Sequence, residues 1–211
     1  MRVVVTRPGA GGEELAARLR GRGHEVVLCP LIAIEPLGDE PVEVAGYDWV
    51  VVTSPNGARE LLRRRHGRLP RVAAIGPGTA AALTAAGVEP DLVPAVSTQE
   101  GLLAELPRPA GRVLFAGAED ARPVLAQALA ADVVPLYRTV VLRPPEPPAG
   151  DLVVLASASA ARAFAALGLR MPAVSIGPQT TAAARAAGVD VVAEAGSHDL
   201  DGLVAAVAEA E

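Results

Sequence analysis

Four short turns in this sequence set hydroxyl groups beside glycine or proline. They are Thr6-Arg7-Pro8-Gly9, Thr53-Ser54-Pro55-Asn56, Ile75-Gly76-Pro77-Gly78-Thr79 and Ile176-Gly177-Pro178-Gln179-Thr180. Proline suits the first position of a helix, and a glycine ahead of it tolerates an unusual backbone angle. The hydroxyl groups then lie among backbone N–H groups that have no partner inside the helix. Such a geometry binds anions without lysine, and all 19 basic residues of this chain are arginine. The same features have a plainer reading, because Ser and Thr at helix starts are ordinary caps worth about 1 kcal/mol each. Ser54, Asn56, Thr79, Gly177 and Thr180 therefore stand as candidates for holding a carboxylate and equally as local capping structure.

Other chemistries are poorly served. Without lysine there is no Schiff base and no lysine-dependent phosphate loop. His24, His66 and His198 are far apart and show no metal-ligand spacing. Cys29 is the sole cysteine, so no intrachain disulfide forms, and a lone thiol beside a strand reads as packing. Gly9-Ala10-Gly11-Gly12 begins like a dinucleotide loop, but Glu14 holds the third glycine position and Cys29-Pro30 stand where an acid belongs. The run Arg63-Arg64-Arg65, with Arg68, sits at a helix C-terminus, where the helix dipole accounts for it. A net charge of −5 argues against nucleic acid. No Ser-His-Asp, Cys-His or paired-carboxylate set stands out. Tyr137, in Pro135-Leu136-Tyr137-Arg138-Thr139, is one of two tyrosines. Its phenol either packs or serves a substrate as hydrogen-bond or proton donor.

The elements that must position these residues follow from the hydrophobic pattern. Short aliphatic runs predict strands at 2–6, 25–28, 48–53, 71–75, 91–93, 112–116, 132–136, 151–155, 173–176 and 189–193. Helices are expected at 11–22, 56–65, 78–86, 98–105, 120–130, 158–167, 178–187 and 199–210. Uniformly apolar strands separated by helices call for a parallel sheet covered on both faces, an α/β doubly wound architecture. Ligands in such folds bind beyond the carboxyl ends of the strands, where the four turns fall. The core must be aliphatic, since there are two Phe, two Tyr and one Trp.

The chain also repeats itself. Ile75-Gly76-Pro77-Gly78-Thr79 returns as Ile176-Gly177-Pro178-Gln179-Thr180, and Ala85-Ala86-Gly87-Val88 returns as Ala186-Ala187-Gly188-Val189, both 101 residues on. Asp48–Ser54 resembles Asp151–Ser157, and Arg2–Val5 more faintly matches Arg112–Phe115. At 211 residues, two units of roughly 100 residues fit. Proline clusters at Glu35–Pro41 and Arg143–Pro148 lie away from the midpoint, which favours interlaced units but leaves a simple tandem open. No run reaches the ~20 apolar residues of a membrane span. The segment Met1–Pro8 reads as a first strand rather than a signal peptide, so a cytoplasmic protein is expected.

Taken in order, these turns resemble the uroporphyrinogen-III synthase family across nearly the whole chain. The match comprises the strand ending Thr6-Arg7-Pro8, then Thr53-Ser54-Pro55-Asn56, then the two Ile-Gly-Pro-x-Thr turns, with Leu136-Tyr137 between them. The resemblance implies two flavodoxin-like α/β domains, interlaced by the duplication and joined by a two-stranded connection around a cleft. The expected boundaries are 1–34 with 145–211, and 38–136, with crossovers at 35–37 and 137–144. It implies closure of the linear tetrapyrrole hydroxymethylbilane to uroporphyrinogen III, with inversion of ring D through a spiro-pyrrolenine and no metal or cofactor. Tyr137 would assist departure of the hydroxyl group. Ser54, Thr79, Ser157 and Thr180, with Asn56, Gly177 and nearby N–H groups, would bind the substrate carboxylates, and Arg7 would add positive charge. A monomer is expected. There are departures: Ala156-Ser157-Ala158-Ser159 replaces the Thr-Ser-Pro-Asn of the first copy, and Ala130-Ala131-Asp132 lacks a glycine common before that strand. A non-catalytic binding or regulatory protein for an anionic ligand is the main alternative, and a flavodoxin-like nucleotide binder the next.

Overall fold

The computed structural model describes residues 1–211. The chain opens with β1 (Arg2–Val5), α1 (Gly9–Arg20), β2 (Glu25–Leu28) and β3 (Ile32–Pro36). It continues through β4 (Val42–Glu43), β5 (Trp49–Val52), α2 (Pro55–Arg64), β6 (Arg65–His66), β7 (Arg71–Ala74) and α3 (Pro77–Thr84). Then come α4 (Gln99–Glu105), β8 (Val113–Ala118), α5 (Val124–Leu129) and β9 (Asp132–Val141). Last are β10 (Leu152–Leu155), α6 (Ala158–Ala165), β11 (Ala173–Ser175), α7 (Pro178–Ala186), β12 (Val191–Glu194) and α8 (Leu200–Glu209). Two compact units result: Met1–Ala33 with Thr139–Glu211, and Ile34–Arg138. β3 and β9 carry the chain from one to the other. No helix is long and apolar enough to cross a membrane.

The discontinuous unit holds a five-stranded sheet in the order β12-β11-β10-β1-β2, with every neighbouring pair parallel. Its central strands are apolar on both faces, as burial on both sides requires. Val4, Val153 and Leu155 pack with Phe164 of α6 and Ala184 of α7. Val3, Val5 and Val154 face the other way, against Leu15 and Leu19 of α1 and Leu203 and Val207 of α8. Cys29 is buried in the first of these cores, and burial pushes its thiol above the ordinary value, which suits a packing role.

The continuous unit has the order β3-β9-β8-β5-β7, beside a two-stranded parallel ladder of β4 and β6. Val50, Val52, Leu114 and Ala116 pack against Ala58 and Leu61 of α2 and Leu83 of α3. Trp49, Val51, Val113 and Phe115 face Leu102 of α4 and Leu125 of α5.

Several expectations need correction. β3, β4 and β6 are additional to the expected strands, β3 running into the proline cluster at 35–41 and β6 starting at the last residue of the helix expected at 56–65, and 91–93 yields a single bridge between Leu92 and Ala73. β9 runs to Val141 rather than stopping at 136, because β3 lies beside it and Leu37 N–H donates to Leu136 O. The helix expected at 120–130 shrinks to α5, with Pro123 as its N-cap, since the residue before a proline avoids helical geometry. Its C-cap, Ala130, takes a left-handed conformation at φ 47°, so the position that lacks a family-typical glycine keeps a glycine-like backbone. Arg64 is not simply a charge at the end of α2. It is buried, and its guanidinium donates to Leu37 O and Glu40 O, pinning the segment after β3.

Candidate active site

In the continuous unit, Ser54 and Tyr137 come together although 83 positions separate them. Ser54 follows β5 as the N-cap of α2, with Pro55 at the first helical position, and its Oγ accepts from Gly57 N–H at 2.9 Å. Its hydroxyl also lies 2.8 Å from the Tyr137 hydroxyl. The meeting depends on a register shift between β8 and β9. Gly117 stands opposite Pro135, yet Ala118 stands opposite Tyr137, so Leu136 is one extra residue on the β9 side. In a regular strand Leu136 and Tyr137 would face opposite sides. With the bulge, both join the core under α2 and α3, a side-chain redirection typical of bulges near functional sites. Pro135, without an N–H, is tolerated inside the sheet at such an irregularity.

Tyr137 is 6% exposed. Burial is the largest cause raising its phenol above the ordinary value, and the Ser54 hydrogen bond opposes it. Asp120 adds to the rise and Arg59 opposes it. The group therefore stays protonated through neutral pH. Asn56, in the first turn of α2, is held by Arg59, which donates to its Oδ1.

The two threonines behave differently from simple caps. Thr79 and Thr180 are 3% and 4% exposed and lie at the third positions of α3 and α7. The N-caps there are Gly76 and Gly177, with no side-chain cap. Capping belongs to the serines: Ser157 accepts from Ala160 N–H at 3.1 Å just as Ser54 accepts from Gly57. The two glycines also serve another purpose than the unusual angle expected of them. Their φ values of −179° and 163° are extended backbone. What they provide is room, since a Cβ on Gly76 would sit 2.5 Å from Ser97 Oγ, and one on Gly177 2.7 Å from the His198 ring. Arg7 folds back over the first turn of α1, where a Cβ on Gly11 would meet its Nε at 2.6 Å. Gly11 and Gly12 thus make space for Arg7, its side chain and its carbonyl oxygen respectively. The candidate residues thus divide between the units. Ser54, Asn56, Thr79 and Tyr137 belong to the continuous one, and Arg7, Ser157, Gly177 and Thr180 to the other.

The family model for uroporphyrinogen-III synthase HemD matches residues 13–205. The chain belongs to this family. Among its relatives, a uroporphyrinogen-III synthase from Synechococcus elongatus is 27% identical, with 97% of this chain and 93% of that protein aligned. A candidate uroporphyrinogen-III synthase from Methanocaldococcus jannaschii is 30% identical over 149 residues, which span 66% of this chain and 62% of the relative. Crystal structures show the same fold. A mutant uroporphyrinogen III synthase from the extremely thermophilic bacterium Thermus thermophilus aligns with a TM-score of 0.67 at 20% identity, covering 100% of this chain and 98% of that one. The enzyme from Helicobacter pylori gives 0.65 at 16% identity, with both chains fully covered. Uroporphyrinogen-III synthases are cyclising lyases of tetrapyrrole biosynthesis, and this chain is a member.

Two residues beside these turns escaped the sequence reading, Ser97 and His198. Both stand against the turn glycines, and they are themselves 101 positions apart. Thr98 and Asp199, the side-chain caps of α4 and α8, keep the same spacing. The repeat offset, extended past Val88 and Val189, would have paired them. Only the segment's divergent side chains hid the correspondence.

Proposed function

We propose that this chain closes hydroxymethylbilane to uroporphyrinogen III, with inversion of ring D, and that Tyr137 assists the first step. The observation that carries the role of Tyr137 is its buried phenol, hydrogen-bonded to Ser54 where β5 gives way to α2. The bilane loses its hydroxyl group readily, because the attached pyrrole pushes electrons toward the breaking C–O bond. A phenol that hydrogen-bonds or protonates the departing oxygen releases it as water and leaves an azafulvene. Attack by the ring D carbon that bears the existing bridge gives a spiro-pyrrolenine, and rearrangement with closure follows. The proton shed as the last pyrrole regains aromaticity balances the one given to the leaving group.

The substrate also cyclises unaided to the wrong isomer, so the larger task is holding it in a productive fold. Its acetate and propionate groups suit the first turns of α2, α3, α6 and α7, with Asn56, Thr79, Ser157, Gly177 and Thr180 as the contacts and Arg7 as added charge. The protein acts as a cytoplasmic monomer without metal or cofactor. Purified protein given hydroxymethylbilane should yield mainly the type III isomer, and exhaustive chelation should leave the rate unchanged. Isomer separation of the tetrapyrrole products tests this. The spontaneous type I isomer alone would refute it.

A further inference from the structure

The direction of the proton between Ser54 and Tyr137 decides what the phenol can do. Ser54 Oγ already accepts from Gly57 N–H at 2.9 Å, in the first turn of α2, so its own proton must go elsewhere. Tyr137 Oη lies 2.8 Å away, in a geometry that allows either atom to donate. If the tyrosine donates, its proton is spent on the serine and cannot reach a substrate. If the serine donates, the hydrogen bonds run in one direction, from Gly57 N–H through Ser54 to Tyr137. The phenol proton is then left for an outside acceptor. Each hydroxyl is donor and acceptor once, and such chains reinforce themselves.

Resting on the synthase reading, we propose that Ser54 is a positioning residue that donates its proton to Tyr137, turning the phenol proton toward the departing hydroxyl of the substrate. This differs from the direct carboxylate contact that the sequence suggests for Ser54. The other copy shows what is special here, since Ser157 caps α6 through Ala160 N–H with no phenol hydrogen-bonded to its hydroxyl.

The test is a set of substitutions read by kcat and KM for type III product. Ser54→Thr keeps both donor and cap and should retain most of the turnover. Ser54→Ala removes the donor, and kcat should fall up to about ten-fold. Ser54→Asp is the deciding variant. Aspartate caps helices as well as serine does, but its carboxylate can only accept, so it captures the phenol proton. Its kcat should fall nearly as far as that of Tyr137→Phe, with an unchanged melting temperature; the KM within about two-fold of wild type is expected of the uncharged Ser54→Ala, because a new carboxylate at α2 also repels those of the substrate. In the Tyr137→Phe background neither Ser54 variant should lower kcat further. Wild-type kcat in Ser54→Asp, a loss in Ser54→Ala appearing in KM instead, or additive losses in the double variants would each overturn the proposal. If Ser54→Asp does not fold, the Ser54→Ala and Tyr137→Phe pair decides by the same criterion of additivity. Wild-type protein that makes no type III isomer removes the synthase reading and this proposal together, whereas wild-type turnover with an uncoupled pair removes the proposal alone.

Discussion

At the level of single residues, the phenol of Tyr137 separates catalysis from packing. Tyr137→Phe keeps the ring and removes one hydrogen-bonding group, so turnover should fall while the melting temperature holds. General-acid assistance is worth ~10²–10⁴-fold, and the lower part of that range is expected because the leaving group departs readily. Tyr137→Ala should also destabilise the protein, through a cavity under α2. Because burial holds the phenol above its ordinary value of 10.0, its ionisation should cause no loss of turnover between about pH 6 and 9. A rate profile for wild type and the Phe variant checks both points. Thr79 and Thr180 offer a second test. Neither is an N-cap, so Val at either position should cost little stability. If they hold carboxylates, KM should rise by roughly ten-fold or more, the worth of a charge-assisted hydrogen bond. An unchanged KM would assign their hydroxyls to local structure. The sequence identified Tyr137 and Ser54 individually by residue type and neighbours. Nothing in it signalled that they touch, because their contact rests on one extra residue in β9 that leaves no compositional trace.

Among the elements, strands buried on both faces were easiest to read, since β1, β5, β8 and β10 are nearly unbroken runs of Val, Leu and Ala. β3 was hidden because Ile32-Ala33-Ile34-Glu35-Pro36 carries a glutamate and a proline. Its strand character comes from the neighbouring β9, not from its own pattern. The packing of α4 beside α5 supplies a pH test. Arg122 grips both carboxylate oxygens of Glu100, in the first turn of α4, and holds that carboxyl down to about 2. A carboxyl depressed in the folded state adds stability above its ordinary value of 4.5, and that stability is lost as pH falls toward 2. Arg122→Ala should therefore lower stability at about pH 7, modestly because the ion pair is exposed, and lower it less and less as pH falls toward 2, which flattens the pH dependence. Urea melts at about pH 3 and pH 7 read the difference.

For the whole chain, the internal repeat was legible as a fixed offset of 101, and it carried the two Gly-Pro turns with it. The purpose of their glycines was not legible, because the side chains they accommodate lie 21 residues further on in each copy, at Ser97 and His198. The path of the chain has a topological consequence. Residues 1–33 and 139–211 form one unit, and residues 1 and 211 meet the same spot in it. Glu25 N–H donates to Met1 O, and the neighbouring His24 Nδ1 lies 3.5 Å from the Glu211 carboxylate. A short glycine-rich linker can therefore join residue 211 to residue 1, with the new ends opened between Leu37 and Gly38. The permuted chain would run through nearly all of one unit, then the other, turning an interlaced pair into two successive ones with β3 as its final strand. Because no buried strand is cut and the paired elements remain, it should melt cooperatively and still form the type III isomer. A permuted protein that folds but makes only the type I isomer would show that the uncut link through residues 37 and 38 is itself needed for turnover.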